Sequence, residues 1–295
     1  MVNDELGKRM KRYEFANRRY LTNRMPVIVR IDGRSFHTFT KGFERPFDDL
    51  LIDTMQKTMK YLCENVMNCA LGYHQSDEIT LVLADYKTID TQPWFDNCQN
   101  KIESICASME TMAFNKIFAD NLHDLMYDCC YDKKNNNYGD NVANGREQEY
   151  DRCCNVYMKV INSAMFDCRA FNIPVDEVTN NIYWRQLDAT RNSIQMVGQS
   201  YFSHSELHEK TCNNIQDMLF TQKGINWNDY PVYKKRGSCC IKAVNKHEGL
   251  EPTYENETEI CEPICITQRS NWIIDKNIPI FKGEYREYIE KLIRF

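Results

Sequence analysis

Behind Pro26 stands a β-branched run, Val27-Ile28-Val29, within a segment from 25 to 31 that closes on Asp32-Gly33. Such a run with turn residues at both ends reads as a short buried strand. The pattern immediately after it constrains the fold most. From Phe47 to Val66 the apolar residues Leu50, Leu51, Met55, Met59 and Leu62 recur at the spacing of one helix face, with Asp48 and Asp49 near its start, where the helix dipole favours anions. Two short apolar runs come next, Ala70 to Tyr73 and Ile79 to Leu83, on either side of the turn His74-Gln75-Ser76-Asp77-Glu78. Strand, helix and hairpin in this order open a split βαβ layout, an α+β, ferredoxin-like antiparallel sheet with helices on one face.

The remainder of the chain extends this plan. A second helix is expected from Trp94 to Phe118, a further strand from Ala164 to Ile173, helices across residues 175 to 222, a last strand from Ser238 to Val244 and a C-terminal helix from Tyr285. Between Asn121 and Arg152 the composition turns to Asp, Asn and Cys around a low-complexity centre, Lys133-Lys134-Asn135-Asn136-Asn137-Tyr138-Gly139, which reads as an insertion that need not pack. The expected organisation is a catalytic domain from residues 1–120 and 153–246 with helical additions, the insertion 121–152, and an acidic connector with its helix at 247–295.

Charge is unevenly spread. The net is −5, yet residues 8 to 24 hold Lys8, Arg9, Lys11, Arg12, Arg18, Arg19 and Arg24 against Glu14 alone. A second basic patch contains Lys234, Lys235, Arg236, Lys242 and Lys246, and six glutamates between Glu248 and Glu262 mask both in the total. Clustered bases suit a nucleic acid or a triphosphate, although a solvated helix face explains the first patch equally well. The 14 cysteines include adjacent pairs, 129–130, 153–154 and 239–240, that fit neither tetrahedral zinc nor a local disulfide, so buried thiols are expected; Cys261 and Cys265 come nearest to ligand spacing. No apolar stretch approaches the length of a bilayer span, and the N-terminus has no signal-like apolar region. An intracellular protein, cytoplasmic or mitochondrial, is the expectation.

Two carboxylates stand out. Asp32 ends a buried strand, and Asp77 lies on a hairpin able to pair with it, so the two can meet at one sheet edge. Hard oxygen ligands of that kind suit Mg²⁺, and two such ions roughly 3.5–4 Å apart would clamp both oxygens of a nucleotidyl transfer. Turn residues favoured for local hydrogen bonding are an equally good account of the spacing. Directly after Gly33, the segment Arg34-Ser35-Phe36-His37 offers successive N–H groups, a hydroxyl and cationic or polar side chains for a triphosphate. Neither a Walker-type G-x-x-x-x-G-K-[ST] nor a G-x-G-x-x-G occurs in the chain.

The segment Val29-Arg30-Ile31-Asp32-Gly33-Arg34-Ser35-Phe36-His37, followed by Tyr73-His74-Gln75-Ser76-Asp77-Glu78, resembles the signature pair of the histidine-tRNA guanylyltransferase family. Trp184-Arg185-Gln186-Leu187-Asp188 and Lys235-Arg236-Gly237 are similar to its downstream blocks. The resemblance implies a polymerase-palm-like domain that runs in reverse, adding nucleotides to the 5′ end of tRNA. It implies metal ligation by Asp32, the Gly33 carbonyl and Asp77, and nucleotide binding by Gly33, Arg34, Ser35, Phe36, His37, Arg45, Asp48 and Ser76. Arg19, Arg24, Lys235 and Arg236 are candidate contacts to RNA or a second triphosphate. Two Mg²⁺ ions, ATP, GTP or other nucleoside triphosphates, a tRNA and a homotetrameric assembly complete what the family implies.

One departure narrows this. After the Trp-Arg-Gln-x-Asp block the eukaryotic guanylyltransferases continue with a histidine and paired asparagines, whereas this chain reads Ala189-Thr190-Arg191-Asn192-Ser193. That segment, with Gly224-Ile225-Asn226-Trp227-Asn228, is similar to the guanylyltransferase-like branch, which repairs 5′-truncated tRNA by template-directed addition. The expected function is therefore 3′–5′ nucleotide addition with 5′ activation by ATP. Alternatives are single-guanylate addition to histidine tRNA, a palm-fold cyclase or forward polymerase, and a non-catalytic RNA-binding relative.

Overall fold

The computed structural model describes residues 4–132, 137–138, 146–245 and 269–295. Its centre is a six-stranded antiparallel sheet of β1 (Val27–Gly33), β2 (Cys69–Gln75), β3 (Glu78–Leu83), β4 (Phe166–Asn172), β5 (Ser238–Asn245) and β6 (Arg269–Asp275). The strand order is β4-β1-β3-β2-β5-β6. After an N-terminal helix α1 (Glu5–Ala16), helix α2 (Asp49–Asn65) joins β1 to β2, and with β3 lying between those strands this is the expected split βαβ core. The register sets Asp32 opposite Glu78 on one side and Asp167 on the other.

Side chains alternate across β1, and each face finds its own helices. Val27, Val29 and Ile31 pack with Met55, Met59 and Leu62 of α2 and with Ile102, Phe114 and Phe118 of α3 (Gln99–Cys130). Ile28, Tyr73 and Val82 point the other way. They pack with Val178 and Ile182 of α4 (Val175–Tyr201) and with Ile289 and Ile293 at the C-terminus. Helices on one face thus describes α2 and α3, while the helical C-terminal part covers the opposite face. A third cluster joins α4 to α5 (Cys212–Lys223) through Ile194, Val197, Ile215, Leu219 and Trp227. The final helix, α6, runs over Glu287–Ile293 behind a 3-10 turn at Gly283–Arg286.

Several boundaries differ from the sequence reading. The hairpin turn is only Ser76-Asp77, because His74, Gln75 and Glu78 remain in the strand ladder. The second helix opens after a 3-10 turn, Trp94–Asn97, and continues to Cys130, burying Leu122 and Cys129, so the change of composition at Asn121 is not a structural boundary. At the end of the insertion a short helix, Glu147–Arg152, runs into a π-helical turn, Cys153–Tyr157, that buries Cys153 and Tyr157. β6 occupies part of the expected acidic connector. The glutamates from Glu248 to Glu262, Lys246, Cys261 and Cys265 lie outside the described residues. The described cysteines are free thiols. Among the described residues no helix is long and apolar enough to cross a membrane.

Candidate active site

The two carboxylates come from neighbouring strand ends. Asp32 is the penultimate residue of β1, and Asp77 sits on the turn between β2 and β3. The Gly33 N–H donates to the Asp77 carbonyl at 3.0 Å and stitches the two segments together. Gly33 has no room for a side chain, since a Cβ there would stand 2.2 Å from the Phe36 ring. That ring belongs to an aromatic group with Phe39, Phe114 and Phe166, which anchors the one-turn helix Phe36–Phe39 under the site. Phe36 therefore shapes the floor from within the core.

The turn at Asp77 is held from below. His74 is buried, and its Nε2 donates to the Ser76 carbonyl at 3.0 Å. Burial lowers its pKa to about 4, so the ring is neutral at neutral pH, where a protonated Nε2 can serve only as a donor. Glu78, immediately after Asp77, is gripped by Arg185 of α4 through two bonds of 2.7 Å, and Arg185 also donates to Asp188 at 3.0 Å. Arg30 lies 3.5 Å from the same glutamate. Burial raises the Glu78 pKa against the opposing pull of Arg185. Removing either member of such a pair leaves a buried charge uncompensated.

Burial raises the pKa of Asp32 against the attraction of Arg30, and raises that of Asp77 with help from the negative charge of Asp32. Ser76 donates to Asp77 at 3.0 Å, and among the described residues neither aspartate forms an ion pair. A pair of partly buried, mutually repelling carboxylates that no ion pair neutralises is the electrostatic complement of a divalent cation. Among the described residues there is no cluster of three or more His, Cys, Asp or Glu side chains fit to hold a metal. The donor set thus fits a hard ion that completes its shell with backbone, water or phosphate oxygens, and does not fit zinc.

Beside the pair opens a cavity of ≈ 520 Å³ lined by Ser35, Phe36, His37, Arg45, Asp48, Ser76 and Asp77, together with Phe43, Glu44, Met196 and Gln199. Ser35 and Ser76 of this lining both adopt left-handed backbone, with φ of 56° and 53°. Arg34 is fixed by its backbone, its N–H donating to the Met165 carbonyl at 2.8 Å, and its side chain is exposed. The Asp48 carboxylate is fully engaged by protein, taking bonds from Leu51 N–H and Glu44 N–H at 2.9 Å and from the Tyr157 hydroxyl at 2.6 Å. A smaller hollow of ≈ 80 Å³ adjoins through Ser76 and is lined by His74, Asn192, Ser193 and Lys235.

The remaining basic candidates are dispersed. Arg24 donates to the carbonyls of Asp85 and Thr88 at 3.0 and 2.9 Å, a structural use of its guanidinium. Arg19 lies outside both cavities and is anchored by its N–H to Asn100 at 3.2 Å. Lys235 donates to the Asn228 carbonyl at 2.5 Å, and Arg236 lies over the Trp227 ring at 5.4 Å. Gly237 behind them is obligatory, since a Cβ would fall 2.2 Å from the His74 carbonyl. The chemical relevance of Glu78 with Arg185, of Glu110 on α3 and of Tyr157 is not visible in the sequence. Periodicity gives no sign of a buried ion pair formed across 107 residues.

The family model of "Thg1: tRNAHis guanylyltransferase" matches residues 7–174, more than half of the chain. A solved bacterial tRNA(His) guanylyltransferase (Thg1)-like protein in complex with ATP is 39% identical with a TM-score of 0.72, the match covering 99% of this chain and 100% of that one. The corresponding structure in complex with GTP gives 37% identity and a TM-score of 0.70 over the same shares. The tRNA(His) guanylyltransferase of Schizosaccharomyces pombe is 24% identical over 246 residues, 79% of this chain and 78% of its own length. With its carboxylate pair, its nucleotide-sized cavity and these relatives together, the chain belongs to the tRNAHis guanylyltransferase family of nucleotidyltransferases.

Proposed function

We propose that the protein extends the 5′ end of tRNA in the 3′–5′ direction, using the opposing strand of the acceptor stem as template, and so repairs 5′-truncated tRNA. The observation that carries the chemistry is the Asp32–Asp77 pair stitched together at the mouth of the cavity. ATP and GTP are the ligands of the similar bacterial structures, which supports a nucleoside triphosphate as the occupant of this cavity. Asp32, the Gly33 carbonyl and Asp77 would hold Mg²⁺. That ion would supply charge stabilisation at the transferring phosphorus and lower the pKa of the attacking hydroxyl.

In the first step an oxygen of the RNA 5′-monophosphate attacks the α-phosphorus of ATP, and pyrophosphate leaves. In the second, the 3′-hydroxyl of an incoming nucleotide attacks the activated 5′ phosphorus, a new P–O bond forms, and AMP leaves. The added nucleotide brings its own 5′-triphosphate, which drives the next addition or loses pyrophosphate at the end. The chain's contribution is positioning: Ser35, His37, Arg45 and Ser76 face the phosphates, and no side-chain nucleophile is needed.

Template pairing as the selector is supported by Thr190. It stands where the eukaryotic relatives have histidine and turns its hydroxyl onto the Gln186 carbonyl at 2.9 Å. Base-specific recognition would require a group directed at the base, whereas template reading needs the protein to hold backbone and triphosphate. The same reading includes an intracellular homotetramer. The test is incubation of several tRNAs lacking their first nucleotide with all four triphosphates, ATP and Mg²⁺, varying the opposing base. Watson–Crick addition that stops at a complete stem supports repair. Guanylate added whatever the opposing base, or activity confined to histidine tRNA, points instead to the single-addition enzyme.

A further inference from the structure

The loop from Gly42 to Asp48 forms one wall of the nucleotide cavity, contributing Phe43, Glu44, Arg45, Pro46 and Asp48. Besides Phe39 and Phe118, which pack on Phe43, it is held by the six-residue stretch 152–157 at and just after the end of the insertion. Arg152 bonds Glu44 at 3.1 Å, and Val156 lies against Gly42, 3.3 Å from where a Cβ would stand. Tyr157 sets its ring perpendicular to Phe43 with centroids 4.8 Å apart, and its hydroxyl donates to Asp48 at 2.6 Å. The stretch contains the π-helical turn Cys153–Tyr157, a rare geometry that recurs at functional sites.

Asp48 transmits the grip. One carboxylate oxygen caps α2 through Leu51, while the other receives both the Glu44 N–H and the Tyr157 hydroxyl. The carboxylate thus ties together the base of the loop, the start of a core helix and the clamping stretch. Tyr157 is 3% exposed and outside the cavity lining, so it touches no nucleotide. We propose that residues 152–157 are a clamp that fixes the shape of the nucleotide cavity, with Tyr157 and Arg152 as positioning residues acting through Asp48 and Glu44. The clamp sets nucleotide affinity and leaves the transfer chemistry at Asp32 and Asp77 untouched. This inference rests on the cavity being a nucleotide site, as proposed above.

The experiment compares wild type with Tyr157→Phe, Arg152→Gln, Asp48→Asn and the Tyr157→Phe/Asp48→Asn pair. ATP affinity is measured by calorimetric titration without RNA, and KM for ATP and kcat are measured with a truncated tRNA. The expected result is about a tenfold loss of ATP affinity and a matching rise in KM for Tyr157→Phe, with kcat within twofold of wild type. The pair should lose little more than Asp48→Asn alone, because both changes remove the same bond. Unchanged ATP affinity in Tyr157→Phe, or a fall in kcat at constant KM, overturns the clamp. A wild type that binds ATP but extends no RNA overturns the polymerase reading, and the titrations still decide the clamp.

Discussion

Asp77 carries two opposite consequences. Burial and Asp32 raise its pKa, so the folded state without a bound cation suffers from its ionisation. Asp77→Asn should therefore raise the melting temperature in chelator, millimolar Mg²⁺ should shift the wild-type melt upward but not that of the variant, and nucleotide addition should fall at least about a hundredfold. A thermal melt with and without Mg²⁺, paired with an incorporation assay, reads all three. Glu110 is a second buried carboxyl, fully enclosed on α3, with both oxygens lacking a hydrogen-bond partner. Burial holds its pKa well above 4.5, with smaller contributions from Cys168 and Asp32. A carboxyl that binds its proton more tightly when folded gives stability that is complete below its unfolded pKa and is lost as pH rises through the folded value. Denaturant titrations from pH 5 to 9 should show stability falling with pH, and Glu110→Gln should flatten that slope. Asp32 and Asp77 are legible in the sequence because turn carboxylates at strand ends leave a local trace. Glu110 leaves none, since a glutamate within a helical period reads as a solvent-facing residue.

Element boundaries follow the same logic. α2 is legible because its apolar spacing and its cap, Asp48, are both local. α3 is misjudged at its end, where Asp, Asn and Cys dilute a helix that still buries Leu122 and Cys129. β6 is hidden because Arg269, Ser270 and Asn271 precede its apolar centre Trp272-Ile273-Ile274, and because the strand it pairs with lies beyond the connector. The insertion divides accordingly. A short Gly/Ser linker in place of residues 133–145 should leave ATP affinity and melting within a few degrees of wild type. The same linker in place of 121–152 should cost roughly 3 kcal/mol or more, because it removes the buried Leu122 and Cys129 and the Arg152–Glu44 pair. Equal behaviour of the two replacements in a denaturant melt would show that the end of α3 carries no packing.

At the scale of the molecule, the chemistry and its support come from different stretches of chain. The carboxylates lie within the first 77 residues, whereas Arg185 steadies Glu78 from α4 and Tyr73 donates to the Arg236 carbonyl at 2.6 Å. The split βαβ core is legible because its elements are consecutive, but strand order beyond it depends on pairings that no local pattern encodes. During synthesis this order leaves a flank open. β2 is complete at Gln75, yet its second neighbour begins only at Ser238. At roughly 5–20 residues per second, that flank waits on the order of ten seconds or more with its N–H and C=O groups unpaired. An open strand edge is a template for other chains. Ribosome-bound chains arrested before Ser238 has emerged should recruit holding chaperones and aggregate on release, and chains long enough to expose β5 should not. Pelleting and chaperone crosslinking of the arrested series would read that transition, and a gradual change with length instead of a step at β5 would show that closing this edge is not what ends the exposure.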